Sequence, residues 1–352
     1  AVLSMWISNT ATALMMMPIA GSLISVMHLE RCEMPAAERA NFSTAMMLGI
    51  AYAASIGGLG TLIGSPPNAL LASFMSQTYG VDITFAAWMA IALPVSLVML
   101  PLAWLVLTAI AYPFADRSHD AGRAAIEEAL SALGPMRRQE KRVAVVFALV
   151  AAAWVFTPLA ESLLRRTLIS DTGIAIAGAV LLFALPADWK NRTFLLNWSW
   201  ARRAPWEVLL LFGGGLSLAQ AIDQTGLAAW IGSGLGALSG LPVLLLAGGV
   251  ALLVIFLTEL TSNTATTAAF LPVVGAVALG AGYDPLLLAV PAAIAASCAF
   301  MLPVATPPNA IVYATGYVTV AQMIRAGLIL NILGIMVIAG LTALALPVLF
   351  AP

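Results

Sequence analysis

Stretches 93–111, 143–159, 173–185, 208–221 and 241–257 are almost uncharged, and that restricts what this chain can fold into. Several approach the roughly 20 residues a helix needs to span a bilayer. The competing reading is a soluble enzyme with a large apolar core. A soluble domain carries about a quarter charged residues, whereas charged residues are 9% of this chain and hydrophobic ones 62%. Its 15 basic and 16 acidic side chains cannot cover the surface such an enzyme would expose. The expected fold class is an all-α polytopic membrane protein, with the lipid bilayer as its first partner.

The net charge of −1 provides no basic face, so nucleic acid is not an expected partner. Cys32 and Cys298 lie far apart in apolar or interfacial settings, and His28 and His119 are the only histidines. Neither a structural disulfide nor a metal cluster of these residues is expected. The chain opens at Ala1 without Met or a signal segment, and its first motif comes at residue 8. The expectation is a chain whose N-terminal portion lies outside this sequence.

Self-comparison is more informative still. Ser8-Asn9-Thr10-Ala11-Thr12 recurs as Ser262-Asn263-Thr264-Ala265-Thr266, each followed at the same distance by a proline, Pro18 or Pro272. Ser65-Pro66-Pro67-Asn68-Ala69 then matches Thr306-Pro307-Pro308-Asn309-Ala310. Two motifs recurring in one order point to duplication. Ser, Asn and Thr accept the unpaired N–H groups of a helix's first turn. Pro-Pro ends one helix and suits the start of another. Interrupted helices persist at membrane depth only where the open backbone meets protein or a water-filled cavity. Paired interruptions in corresponding halves are the strongest sequence pointer to a transporter's binding site.

After the first Ser-Asn-Thr, a helix runs to a polar loop at 28–39, and five crossings are expected at about 42–77 (broken), 86–113, 143–163, 171–187 and 204–222. An odd number of crossings sets the two Ser-Asn-Thr hairpins on opposite faces, so the repeats are read as inverted in topology. Loop charges agree: only Arg165 and Arg166 fall on one side, the other thirteen basic residues on the second, which the positive-inside bias places in the cytoplasm. The expected division is a first repeat at 1–113, a cytoplasmic connector at 114–142 and a second repeat at 143–352. In the connector, Ala121, Ala125, Ile126, Ala129, Leu130 and Leu133 suit either an amphipathic interfacial helix or a solvated linker. Trp198 and Trp200 mark 194–201 as a further interfacial piece.

The two loops offer hydroxyls, amides and open backbone, with no fixed charge. Helix N-termini favour anions, and oxygens of an unwound segment suit a hard monovalent cation such as sodium. Ser/Thr/Asn motifs also join transmembrane helices, a reading that two copies with paired breaks make the weaker one. Glu259 is the only acid deep in an apolar segment. It is a functional candidate by default, but its repeat counterpart is Met5, which favours a structural or ion-tuning role. Gly213-Gly214-Gly215 reads as close helix packing.

Residues 4–13, Ile63-Gly64-Ser65-Pro66-Pro67-Asn68, Ser262-Asn263-Thr264 and Val304-Ala305-Thr306-Pro307-Pro308-Asn309 resemble the divalent anion/sodium symporter family, and the likeness extends over essentially the whole chain. The resemblance implies homodimers with two re-entrant hairpins, two broken transmembrane helices and a transport domain that moves like an elevator against a scaffold. It implies sodium-coupled uptake of dicarboxylates such as succinate, malate and fumarate, or of citrate or sulfate. Carried over by position, it implies one sodium site at Ser4, Ser8, Asn9 and the Gly57 backbone, and a second at Thr258, Asn263 and the backbone of Thr261 and Ala305. The substrate would meet Ser8, Asn9, Thr10, Gly58, Ser262, Asn263, Thr264, Thr306 and Pro307. Ser-Asn-Thr in both loops favours di- or tricarboxylates over sulfate. The lack of Lys, Arg or His beside either loop favours sodium symport over sodium-independent exchange. An enzyme would need an acid, base, nucleophile or metal cluster, and the membrane-depth segments hold none.

Overall fold

The computed structural model describes the chain except residues 29–34, 115–126, 128–129, 132–133, 166–168, 204–205, 228–229, 231–239 and 350–352. A 3₁₀ turn at Leu3–Met5 leads into α1 (Asn9–His28). Then come α2 (Ala36–Leu59), α3 (Pro66–Tyr79) and α4 (Phe85–Leu105), which a π-helical turn prolongs to Ala111. Two more helices follow, α5 (Arg138–Leu164) and α6 (Asp171–Ala184), before a small antiparallel ribbon of β1 (Pro186–Asp188) and β2 (Thr193–Phe194). The remainder is α7 (Trp198–Ala201), α8 (Trp206–Gln224), α9 (Val243–Thr258), α10 (Asn263–Gly280), α11 (Leu286–Ala296), α12 (Pro307–Ala314) and α13 (Val320–Leu349).

Among the described residues, five helices are long and apolar enough to cross a membrane: Ala36–Leu59, Phe85–Ala111, Arg138–Leu164, Asn263–Gly280 and Val320–Leu344. This is an all-α multi-pass membrane protein. The crossing expected at 171–187 is shorter than the sequence suggested, because the ribbon takes over at Pro186. Much of the connector expected at 114–142, read as an interfacial helix or a solvated linker, lies outside the described residues. Trp198 and Trp200 are exposed on the one-turn helix α7, and the Arg203 guanidinium sits 4.5 Å over the Trp200 ring.

One order of elements occurs twice. Helix, interrupted helix and helix appear as α1, α2/α3 and α4, and again as α10, α11/α12 and α13. The two sets pack into one core: α11 lies against α9, α10 and α13, and α2 lies against α12. Tyr52 ties them directly, donating from α2 to the Phe300 carbonyl at 2.8 Å beyond the end of α11. The most apolar window of α2 is 72% buried and that of α5 only 11%, so α2 is central and α5 peripheral. A ladder of aromatic rings joins the periphery to the centre. Trp6 stacks on Phe85 at 5.9 Å, Phe85 on Trp154 at 4.8 Å, and Trp6 meets Phe147 edge-on at 5.5 Å. Asp171 locks the arrangement by accepting the Phe85 N–H at 2.8 Å.

Candidate functional site

Four helices begin at one cavity. The first residues of α1 (Asn9), α3 (Pro66), α10 (Asn263) and α12 (Pro307) all line a space of about 900 Å³. The prolines explain two of these starts, since a first-turn proline has no N–H to leave unpaired and its fixed φ suits the helix. At α1 the Ser8 hydroxyl accepts the Ala11 N–H at 3.2 Å. At α12 the Thr306 hydroxyl accepts the Asn309 N–H at 3.3 Å. The other two starts are capped differently from the sequence expectation. Ser65 instead meets the Ser297 hydroxyl at 3.1 Å, and the Ser262 side chain makes no capping bond.

Among the described residues, no ionisable side chain lines this cavity. Its electrostatics come from the helices, each contributing roughly half a positive charge at its N-terminus. Four converging N-termini give the cavity a positive character that suits an anion, with no arginine or lysine among its described wall residues.

Behind the loops the polarity reverses. The Ser4 hydroxyl lies 2.5 Å from Asn9 Oδ1 and 2.6 Å from the Ala54 carbonyl. In the second half, the Thr258 hydroxyl lies 2.7 Å from Asn263 Oδ1 and 3.0 Å from the Ala296 carbonyl. A hydroxyl has one hydrogen, so each cluster holds three oxygens and one proton to share among them. Both hydroxyls are fully buried. Oxygen clusters short of donors suit a hard cation, which accepts lone pairs from all of them at once.

The structure sorts the sequence-derived site residues into layers. Ser8, Asn9, Thr10, Ser262, Asn263, Thr264, Ala305, Thr306 and Pro307 line the cavity. Ser4 and Thr258 lie behind it, joined to the two asparagines. Gly58 is also behind the wall rather than in it. A Cβ there would fall 2.4 Å from Asn9 Oδ1, so the glycine is what lets Asn9 lie against the end of α2. Gly57 faces the first residue, since its Cβ would fall 2.3 Å from the Ala1 carbonyl oxygen. Thr261 is exposed and outside the wall, donating to Leu257 O at 2.9 Å and lying 2.5 Å from the Thr266 hydroxyl.

Glu259 has a structural task. Its Oε1 accepts the N–H groups of Phe300 and Met301 at 2.8 and 2.9 Å and the Asn331 amide at 2.8 Å. Its Oε2 accepts the Leu302 N–H at 2.9 Å. One carboxylate therefore satisfies three open-backbone donors of the interruption between α11 and α12 and fastens them to α13. Gly327 on α13 completes the seam, where a Cβ would fall 2.3 Å from the Phe300 carbonyl. The first half holds its break differently, with the Thr61 hydroxyl donating to the Met5 carbonyl. Of the glycine run, only Gly215 packs closely, its Cβ position 2.7 Å from Ala268; Gly213 and Gly214 have nothing within 4 Å. Sequence reasoning missed Phe212 and the pair Ile63 and Val304 in the cavity wall. The pair was legible, because both residues stand three places before the matched Pro-Pro; Phe212 carried no signal.

Residues 1–351 match the family described as sodium:sulfate symporter transmembrane region. The sodium-dependent dicarboxylate transporter SdcS of Staphylococcus saprophyticus is 41% identical over 342 residues, 96% of this chain and 65% of the relative. SdcS of Staphylococcus aureus strain USA300 is 38% identical over 352 residues, 98% of this chain and 67% of the relative. The chain thus spans about two thirds of the length of these curated relatives. A site assembled from twin Ser-Asn-Thr loops, with likeness along nearly every residue, leads to one assignment: the chain belongs to the divalent anion/sodium symporter family, a family of transporters and not of enzymes.

Proposed function

We propose that this chain is the membrane-embedded body of a sodium-coupled symporter for di- or tricarboxylates of the succinate, malate and fumarate type. The observation that carries the reading is the convergence of four helix N-termini on one uncharged cavity, backed by two donor-poor oxygen clusters. The anion takes the cavity, meeting Ser8, Asn9, Thr10, Ser262, Asn263, Thr264, Thr306 and Pro307. One sodium takes the cluster of Ser4, Ser8, Asn9 and the carbonyls near Gly57. A second takes Thr258, Asn263 and the backbone near Thr261 and Ala305. Each asparagine belongs to both layers, so a sodium that fixes its side chain also shapes the anion site. That shared ligand is a physical basis for coupling.

The further parts of the proposal follow from the repeated order of elements. The two sets are inverted repeats with re-entrant hairpins, occupying 1–113 and 143–352 around a connector at 114–142. They carry the site across a bacterial plasma membrane by an elevator motion within a homodimer. SdcS relatives are named as sodium-dependent dicarboxylate transporters, which supports this substrate class. The family description names sulfate, which keeps an inorganic oxyanion as the second reading.

Uptake of labelled succinate by the complete protein in liposomes tests the proposal. Uptake should require an inward sodium gradient and be competed by malate and fumarate. Unchanged uptake in potassium alone would leave a sodium-independent exchanger. Competition by sulfate and not by succinate would leave an oxyanion carrier.

A further inference from the structure

The Pro-Pro-Asn motifs raise a problem that their own chemistry solves. The last carbonyls of a helix have no partners within it, and here they are buried where water cannot serve them. The next helix begins with two prolines, which have no N–H to offer. Backbone N–H groups of Gly64 and Ala305 reach only Thr61 O and Leu302 O, at 3.3 Å each. The first residue after the prolines is asparagine in both halves, and its amide supplies further donors.

Asn68 Nδ2 donates to Gly58 O at 3.0 Å and Thr61 O at 2.7 Å, with Leu59 O at 3.4 Å. Asn309 Nδ2 donates to Ala299 O at 3.2 Å and Leu302 O at 3.0 Å. The acceptors stand ten and seven residues upstream in both cases. Both asparagines are fully buried, and neither Oδ1 has a partner among the described residues. Turning either amide over would set Oδ1 against carbonyl oxygens, so the carbonyls fix its orientation. Two amides thus clamp the open backbone on either side of each interruption.

The clamped atoms adjoin the proposed cation ligands. Gly58, held by Asn68, is the surface against which the Asn9 side chain lies, and Asn9 shares the first oxygen cluster with Ser4. Leu302, held by Asn309, accepts the Ala305 N–H at 3.3 Å and gives its own N–H to Glu259, the neighbour of Thr258. We infer that Asn68 and Asn309 are positioning residues for the two sodium sites, each setting the backbone that shapes the cluster in its own half. They touch neither ion nor anion. This inference rests on the sodium-symport reading above.

The experiment uses Asn68→Ala and Asn309→Ala in the complete protein, with Asn68→Ser and Asn309→Ser as milder variants should the first pair fail to fold. Three quantities are read: the sodium concentration for half-maximal succinate uptake, the succinate KM at saturating sodium, and the rise in melting temperature when sodium replaces choline. Removing a group that supports a metal ligand weakens binding about tenfold or more. We expect half-saturation by sodium to rise about tenfold, the succinate KM at saturating sodium to stay near the wild-type value, and the sodium-dependent rise to shrink. A lower melting temperature in choline with an undiminished sodium-dependent rise and unchanged half-saturation overturns the inference and leaves two structural asparagines. Wild-type uptake that ignores sodium overturns instead the reading on which it rests.

Discussion

Thr258 donates its hydroxyl hydrogen to Oδ1 of Asn263 at 2.7 Å, and in the first half Ser4 does the same to Asn9 at 2.5 Å. The substitution that isolates this contact is Thr258→Val, which keeps the shape and removes the oxygen. Loss of a buried hydrogen bond of this kind costs about 1 kcal/mol. Loss of a ligand should cost more in sodium dependence than in stability. Sodium titrations of uptake should therefore show half-saturation displaced upward in Thr258→Val and near wild type in Thr258→Ser. Equal behaviour of Val and wild type would remove Thr258 from the site.

Gly58 provides a steric test of the same geometry. Alanine there would press its methyl carbon to 2.4 Å from Asn9 Oδ1, and the asparagine would have to leave. Gly58→Ala should therefore lose sodium-dependent uptake to about the degree of Asn9→Ala. Gly213→Ala is the control, with nothing within 4 Å of the added carbon. It should transport normally, with stability raised or lowered by no more than about 1 kcal/mol.

Glu259 makes a prediction of a different sign. Gln retains one acceptor oxygen and turns an amide toward backbone N–H groups that need acceptors. Hydrogen bonds to a charged group contribute about 1.5–3 kcal/mol each. Thermal unfolding of Glu259→Gln in detergent should show a lowered midpoint, lower still in Glu259→Ala. The drop should be present without sodium as well as with it, since the carboxylate holds backbone directly. A loss confined to the sodium-bound state would assign Glu259 to the ion instead.

Asn9→Ala and Asn263→Ala should each abolish the sodium-dependent rise in melting temperature. Wild-type behaviour in both would sink the site assignment, whatever the uptake assays show.

The matched motifs made much of this legible. Ser-Asn-Thr and Pro-Pro-Asn located all four helix starts. Capping or proline chemistry, which acts within one or two turns, accounts for three of them, and the start at Asn263 was found by its match to the first motif. The crossing at 86–113 was found within two residues of each observed end, Phe85 and Ala111, since a long apolar run has no alternative at membrane depth. What escaped depends on contacts between distant segments. Tyr52 on Phe300, Asn331 on Glu259 and Gly327 against Phe300 each join residues more than twenty positions apart, and no local pattern announces them. Glu259 illustrates the limit. Its solitary charge was visible at once, but its partners, three consecutive backbone N–H groups, have no signature in residue type.

The uncharged cavity wall has a consequence for how the protein responds to acidity. With no ionisable side chain among the described residues of the wall, that wall keeps one electrostatic character as the medium is acidified. On the proposed function, the contribution of this wall to a pH profile of anion binding follows the ionisation of the cargo. A carboxylate that gains a proton loses its attraction to the four helix ends, while an oxyanion that stays fully ionised gives a flat profile. On that reading, the wall responds to the protonation state of the anion without changing its own.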